Sequence, residues 1–207
     1  MARLTVVRDQ GGGRQRTRTV ELRLDDTPWL RVEPVELVEL GIGDGDELDD
    51  ARRSELETVL ARGRARRFVV RSLAVRPQSV TELEQKLAAR QIPEELAREA
   101  IELATDYGFV DDAELAGALS RGMRSRGYGR RRAEHKLRAR GLSGEDAAAA
   151  LAEAYDDYDE LALARAALGK RQTSDDAARR KAVDFLLRRG FSRGAAWKAV
   201  ETPGADD

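Results

Sequence analysis

Cysteine is absent from this 207-residue sequence, and histidine occurs once, at His135. Without thiols there is no disulfide framework and no thiolate metal site, a composition that fits a reducing cytoplasm. One imidazole alone makes no zinc site. Aromatic residues are scarce at 5%, so a core must be assembled from Leu, Ala and Val, which favours many thin helix–helix contacts over one thick core. No apolar run approaches the roughly 20 residues that a membrane span needs, and no signal-peptide pattern opens the sequence. These absences lead us to expect a soluble, cytoplasmic protein that does not enter a membrane.

Charge, by contrast, is abundant and segregated. The formal net charge is only −1, with 36% of residues charged. Residues 121–140 hold nine Lys/Arg against Glu134 alone, a local charge of +8, and residues 141–160 hold seven acids and no Lys/Arg. An earlier basic stretch comprises Arg64, Arg66, Arg67, Arg71 and Arg76. Blocks of this kind create local potentials that the net charge conceals.

A short phrase recurs three times at a spacing of about fifty residues: Lys86-Leu87-Ala88-Ala89-Arg90-Gln91-Ile92, Lys136-Leu137-Arg138-Ala139-Arg140-Gly141-Leu142 and Phe185-Leu186-Leu187-Arg188-Arg189-Gly190-Phe191. Behind each copy, at matching distances, follow Ala97/Ala147/Ala196, Ala100/Ala150/Ala199 and Ile101/Leu151/Val200. A period of this length marks a stacked helical array. Gly141 and Gly190 sit where a helix ends in a left-handed residue, and Leu142 and Phe191 are placed to touch Leu137 and Leu186 across that corner. In the first copy Gln91 replaces the glycine, so that corner is expected to be costlier or differently shaped. Ser143 and Ser192 are expected to cap the helices that follow, and Pro93 to pre-set the first turn of its own.

The first third differs in kind. Leu4–Arg8, Thr17–Leu24 and Trp29–Val32 alternate with the period of strands, with Gly11-Gly12-Gly13 and an Asp25–Pro28 turn between them. Helices are expected over Val35–Leu40 and from about Asp49 to Arg62. From residue 64 onward the helical period predicts three helices per repeat, near 64–75, 79–90 and 93–106, then 111–125, 129–140 and 143–155, then 159–170, 175–189 and 192–201. The expected fold is mainly α. It is an elongated tandem array of three three-helix repeats, at 64–110, 111–157 and 158–207 with a short C-terminal tail, behind a small N-terminal antiparallel β segment with lead-in helices at 1–63.

Few residues carry enzyme-like chemistry. The Asp44–Glu55 stretch has the acids of a calcium loop, but Leu48 stands where a ligand belongs and Asp49 replaces the turn glycine. Gly169-Lys170 lacks the remaining phosphate-loop residues, and no glycine-rich turn sits in a strand–helix–strand unit. His135 lies off the apolar stripe of its helix. No catalytic residue, metal or cofactor is expected. The basic block is the candidate binding surface: Arg121, Arg124, Arg126, Arg130, Arg131, Arg132 and Lys136 offer donors for phosphates or carboxylates, and Tyr128 offers a ring that can stack. Gly122, Gly127 and Gly129 would permit close approach to a partner. These features leave DNA and an acidic protein face equally open, and a solvated helix face is the plain alternative.

Three runs carry a resemblance to a known family. They are Leu73–Leu87 together with Tyr107-Gly108-Phe109-Val110-Asp111-Asp112, then Gly127–Leu142, then Arg180–Ser192. In this order they resemble the successive repeats of the RecX regulatory proteins, over roughly residues 64–201; Gly41–Leu48 fits the family's lead-in. Gln91 and Trp197 depart from its pattern. The resemblance implies a non-enzymatic, monomeric regulator of recombination and DNA repair. Such a protein would bind the RecA recombinase and its DNA filaments along their groove. It would limit ATP hydrolysis, strand exchange and co-protease activity, with weaker, salt-sensitive binding to single- or double-stranded DNA. The alternatives are a stand-alone DNA-binding module or repressor using one three-helix unit, and a structural scaffold.

Overall fold

Alternating apolar residues build a sheet at the start of the chain. In the computed structural model, which describes residues 1–8, 19–171 and 175–201, β1 (Ala2–Arg8) pairs antiparallel with β2 (Val20–Leu24), and β2 pairs antiparallel with β3 (Thr27–Val32). The glycine run at 11–13, the first residues of the expected second strand and the C-terminal tail lie outside the described residues. The register sets Leu4 opposite Leu24 and Val20 opposite Val32, so one face of the sheet is apolar and buried. Asp25 and Asp26 take φ values of 46° and 67°, forming the two-residue turn with both centres left-handed that suits a twisted hairpin. Pro28 therefore lies inside β3, at the sheet edge, where a missing N–H breaks no ladder. A short fourth strand that the alternation did not suggest, β4 (Glu47–Leu48), closes the other edge in the order β3-β2-β1-β4. The Asp44 and Asp46 carboxylates accept backbone N–H groups from Val6 and Gly43, both at 2.8 Å, and so shape the turn before β4.

Helix α1 (Pro34–Leu40) starts on its proline, with a reciprocal cap between Glu33 and Glu36. The next helix corrects the expected boundary. α2 (Asp50–Val75) is one helix of 26 residues, roughly 39 Å long, where two had been expected. Gly63 does not break it, since a glycine inside a helix costs only about 1 kcal/mol, and the packing on both sides exceeds that. Leu56 and Leu60 fill the core under the sheet, while Ala65 and Val69 fill the core of the first three-helix unit. Arg67 and Arg64 reach back to the buried Glu36 carboxylate, and Arg62 and Arg66 both bind Glu99. Two of these arginines thus tie the shared helix back to α1 and two tie it to α4.

The remaining helices fall into three units. The first combines the end of α2 with α3 (Val80–Ala88) and α4 (Glu94–Asp106); the second holds α5 (Asp112–Ser125), α6 (Arg130–Arg138) and α7 (Gly144–Tyr155); the third holds α8 (Glu160–Leu168), α9 (Asp176–Arg188) and α10 (Arg193–Glu201). Each has its own apolar core, centred on Leu83 and Leu87, on Ala133 and Leu137, and on Leu186 and Phe191.

The recurrent phrase makes the same helix stop each time. Ile92, Leu142 and Phe191 donate their N–H groups to Leu87, Leu137 and Leu186 at 3.2, 3.0 and 3.2 Å, the bond pattern of a left-handed helix stop. Gln91 adopts φ 58°, against 72° for Gly141 and 89° for Gly190. The first corner therefore has the shape of the other two, and the glutamine carries the backbone cost, about 1–2 kcal/mol for a residue with a β-carbon. Ser192 caps its helix as expected, its hydroxyl accepting the Ala195 N–H at 3.2 Å. Ser143 does not; Gly144 beside it is itself left-handed, with φ 80°, and the first turn is not aligned on the hydroxyl.

The glycines also answer to the neighbouring unit. A β-carbon on Gly141 would stand within 3.0 Å of the Thr81 side chain, and one on Gly190 within 3.0 Å of the Arg132 backbone. Each later corner is pressed onto the start of the second helix of the unit before it. Ser79 donates its hydroxyl to the Arg140 carbonyl at 2.5 Å, and at the matching place Gly129 donates its N–H to the Arg189 carbonyl at 2.9 Å. The first corner has no unit before it, and Gln91 is exposed.

Candidate nucleic-acid and partner interface

Helices α5 and α6 carry the basic block, and the acidic block that follows folds back over part of it. Arg121 pairs with Glu153 at 3.4 Å, Arg124 donates to the Ala154 carbonyl at 3.0 Å, and Arg130 pairs with Asp156. Arg138 pairs with Glu134 at 2.7 Å on its own helix. Arg140 is half-buried at the first junction, where it meets Glu82 at 2.7 Å and the Pro77 carbonyl at 2.8 Å. The local charge of +8 is therefore not all available. Arg126, Arg131, Arg132 and Lys136 remain, exposed and without an ion pair among the described residues. Arg132 and Lys136 are one helical turn apart on α6, and Arg132 borders the third corner through Gly190. His135 is exposed on the same helix.

Tyr128 and the glycines have other duties than the sequence suggested. The Tyr128 ring is half-buried against the second core, and the Arg189 guanidinium lies over it at 4.9 Å from the ring centre. Its carbonyl accepts the Tyr155 hydroxyl at 3.1 Å; burial, with Tyr158 close by, pushes that phenol up to about 12. Tyr128 is thus a junction residue, with one ring face already covered. A β-carbon on Gly129 would stand within 3.0 Å of the Gly190 carbonyl, and Gly127, with φ 72°, lies against Arg189 and Ala167. These two glycines bring the second and third units together.

Position 140/189, the arginine before each corner glycine, was missed as a joining residue. Arg189 donates to the carbonyls of Arg126 and Gly127 at 3.2 and 3.1 Å, as Arg140 donates to Pro77. In the first copy Arg90 has no earlier unit to reach and stacks over Phe68 at 4.0 Å. The signal was present in the phrase itself, where arginine precedes all three corners. At the first junction Glu82 binds both Arg76 and Arg140. Burial works to raise its pKa, but hydrogen bonds from Arg76 and Arg140, with the Ser79 N–H, outweigh burial and hold the carboxyl at about 2.

Among the described residues no cluster of three or more His, Asp or Glu is placed to hold a metal, and no helix is long and apolar enough to cross a membrane. Sheet, shared helix, three corners of one design and a surface of unpaired arginines define a tandem three-helix-repeat protein with a charged middle unit. Residues 65–102 match the family described as RecX, first three-helix domain, and residues 111–151 match RecX, second three-helix domain. The regulatory protein RecX of Xanthomonas axonopodis pv. citri (strain 306) is 39% identical over 138 residues, covering 62% of this chain and 85% of the relative. That of Stenotrophomonas maltophilia (strain R551-3) is 38% identical over 130 residues, covering 62% and 80%. The fold is shared with a crystal structure of regulatory protein RecX, at a TM-score of 0.59, 19% identity and coverage of 94% and 97%. It is shared too with RecX from Lactobacillus salivarius, at 0.57, 18%, 69% and 96%. The chain belongs to the RecX family of regulatory proteins.

Proposed function

We propose that this RecX protein is a non-enzymatic, monomeric regulator that works in the cytoplasm by binding RecA and RecA–DNA filaments. It restrains their ATP hydrolysis, strand exchange and co-protease activity. Family membership carries this reading. The surface adds to it, because Arg126, Arg131, Arg132 and Lys136 are free to meet phosphate or a carboxylate. The three units, taken as residues 64–110, 111–157 and 158–207, would lie along successive recombinase subunits. The stand-alone repressor reading gains nothing from the middle unit. A helix-turn-helix would offer its later helix to the major groove, yet α7 carries Glu145, Asp146 and Glu153 and no Lys or Arg.

The test is the purified protein added to RecA on single-stranded DNA. ATP hydrolysis or strand exchange should slow, and no effect at saturating protein with the recombinase of the same organism would sink the reading. Substituting Arg131, Arg132 and Lys136 with Ala should lower the slope of log K against log salt by about 2 for free single-stranded DNA. An unchanged slope would turn those side chains toward protein.

A further inference from the structure

An apolar groove lies in the first unit, between α2 and α4. Its volume is about 540 Å³, and it is lined by Val70, Leu73, Leu103, Tyr107 and Phe109 among others, together with Arg66. Val70 is 63% exposed, Tyr107 70% and Phe109 67%, so these side chains are not serving the core beneath them. Contiguous exposed apolar surface of this kind marks a contact site.

The second unit shows that the groove is not a by-product of the architecture. A shift of fifty residues carries Ala65 onto Leu115 and Ala104 onto Ala154, all four buried. The same shift carries Arg66 onto Ala116 and Val70 onto Ser120, and both of those are fully buried. Small residues at these places let α7 settle against α5, and the exposed rim beyond becomes acidic. Leu103 is replaced by Glu153 and Tyr107 by Asp157, and the linker after α7 carries Asp156 and Asp159. One unit thus closes the cleft and charges its rim, whereas the other holds it open and lines it with apolar side chains.

We propose that this groove docks a helix of another protein, apolar along one face and cationic along one edge. The undescribed segments of the chain, residues 9–18, 172–174 and 202–207, contain no Leu, Ile, Val, Met, Phe, Tyr or Trp and cannot fill it. A second copy offers no matching ridge, since outside α2 and α4 no described helix exposes more than two large apolar side chains. Glu102 and Asp106 on α4 flank Leu103 and the cap residue Tyr107, exposed and without an ion pair among the described residues, and they ask for the cationic edge. A groove lined by two helices is the kind of surface on which an amphipathic helix seats residues i, i+3 or i+4, and i+7.

The inference rests on the recombinase reading for the identity of the partner, though not for the existence of the site. The substitutions Leu103→Glu and Tyr107→Asp install the residues of the second unit at exposed positions, and circular dichroism should confirm an unchanged fold. We expect binding to recombinase filaments to fall about tenfold or more, with binding to free single-stranded DNA within about twofold of the parent. A photoreactive phenylalanine analogue at Val70 should cross-link to a helical segment of the recombinase. Filament binding equal to the parent's would overturn the proposal, as would cross-links found only between two copies of this chain. Should the parent itself fail to bind filaments, the recombinase reading falls alone. The groove is then judged with a helical probe peptide carrying Leu at i, i+4 and i+7 and a Lys edge. Anisotropy that reports binding to the parent and none to the variant sustains the site, and equal signals from both reject it.

Discussion

The first and second units share a core pattern, a helix stop and a fifty-residue register, yet they differ in much of what faces outward. At the corner, Gln91 is exposed with φ 58°, whereas Gly141 is pressed against Thr81 with φ 72°. In the cleft between first and third helices, Val70 and Leu103 stand where the second unit has Ser120 and Glu153. On the second helix, α6 exposes Arg131, Arg132 and Lys136, while the matching residues of α3 are Thr81, Glu82 and Lys86. Of these, Thr81 and Glu82 are used inside the first junction. What the units hold in common builds the array. What separates them assigns a hydrophobic face to the first unit and a cationic one to the second.

If the later corners are junctions as well as helix stops, a methyl group there should do far more than strain the backbone. Gly190→Ala should destabilise by about 3 kcal/mol or more, from the left-handed cost together with overpacking against the Arg132 backbone. The control is Gly108→Ala, which has φ 70° but nothing within 4 Å of the added carbon, and should cost only about 1–2 kcal/mol. The two tryptophans make the test local, because Trp29 sits by the sheet and Trp197 on α10. Urea unfolding followed with each tryptophan alone should show the Trp197 transition moving to lower denaturant in Gly190→Ala, ahead of the Trp29 transition. Equal costs for the two substitutions would reduce the corners to simple helix stops.

Much of this was legible from residue types. The repeated Leu, Gly and following apolar residue locate three corners, and the alternation of Val20–Leu24 locates a strand, because both depend on local periodicity. What was not legible depends on which unit lies next to which. Arg140 and Arg189 look like members of a basic surface until the preceding unit supplies Pro77, Glu82 and Gly127. Tyr128 reads as a free ring because nothing local shows Arg189 above it. The continuity of α2 across Gly63 was hidden for the same reason, since contacts from Glu36 on one side and Glu99 on the other hold the helix together. In the candidate site, the sequence shows where the cations are concentrated but does not divide those tied to Glu153, Asp156 and Glu82 from those without an ion pair among the described residues.

Charge at the two junctions offers a second way to sharpen the contrast. The first is held by Glu82 between Arg76 and Arg140, with the carboxyl at about 2, and the second has Arg189 over Tyr128 and Phe185 with no carboxylate partner among the described residues. A carboxyl with its folded pKa lowered contributes stability that is complete above the unfolded value, near 4.3, and is lost as the pH falls through the folded value. Between about pH 4.5 and 2 the first junction should therefore weaken. Glu82→Gln should remove on the order of 2 kcal/mol at neutral pH and flatten the acid limb of the stability curve. Acid titration of the parent and Glu82→Gln by urea midpoint would measure it, and parallel curves would show that Glu82 contributes nothing to the junction.

The smallest effect addresses the exception itself. Gln91 holds a left-handed conformation with no neighbouring unit to forbid a side chain, so Gln91→Gly should relieve backbone strain. Part of that gain is offset by the greater freedom of glycine in the unfolded chain. The net result should be a stabilisation of about 0.5–1 kcal/mol, read as a higher urea midpoint, with filament and DNA binding unchanged. The reverse exchange, Gly141→Gln, combines the same strain with a side chain driven into Thr81 and should be several times as costly. If both substitutions moved stability by similar amounts in opposite directions, conformation alone would distinguish glycine from glutamine at the corners. A large asymmetry would mean that glycine is required at the later corners chiefly because another unit occupies the space.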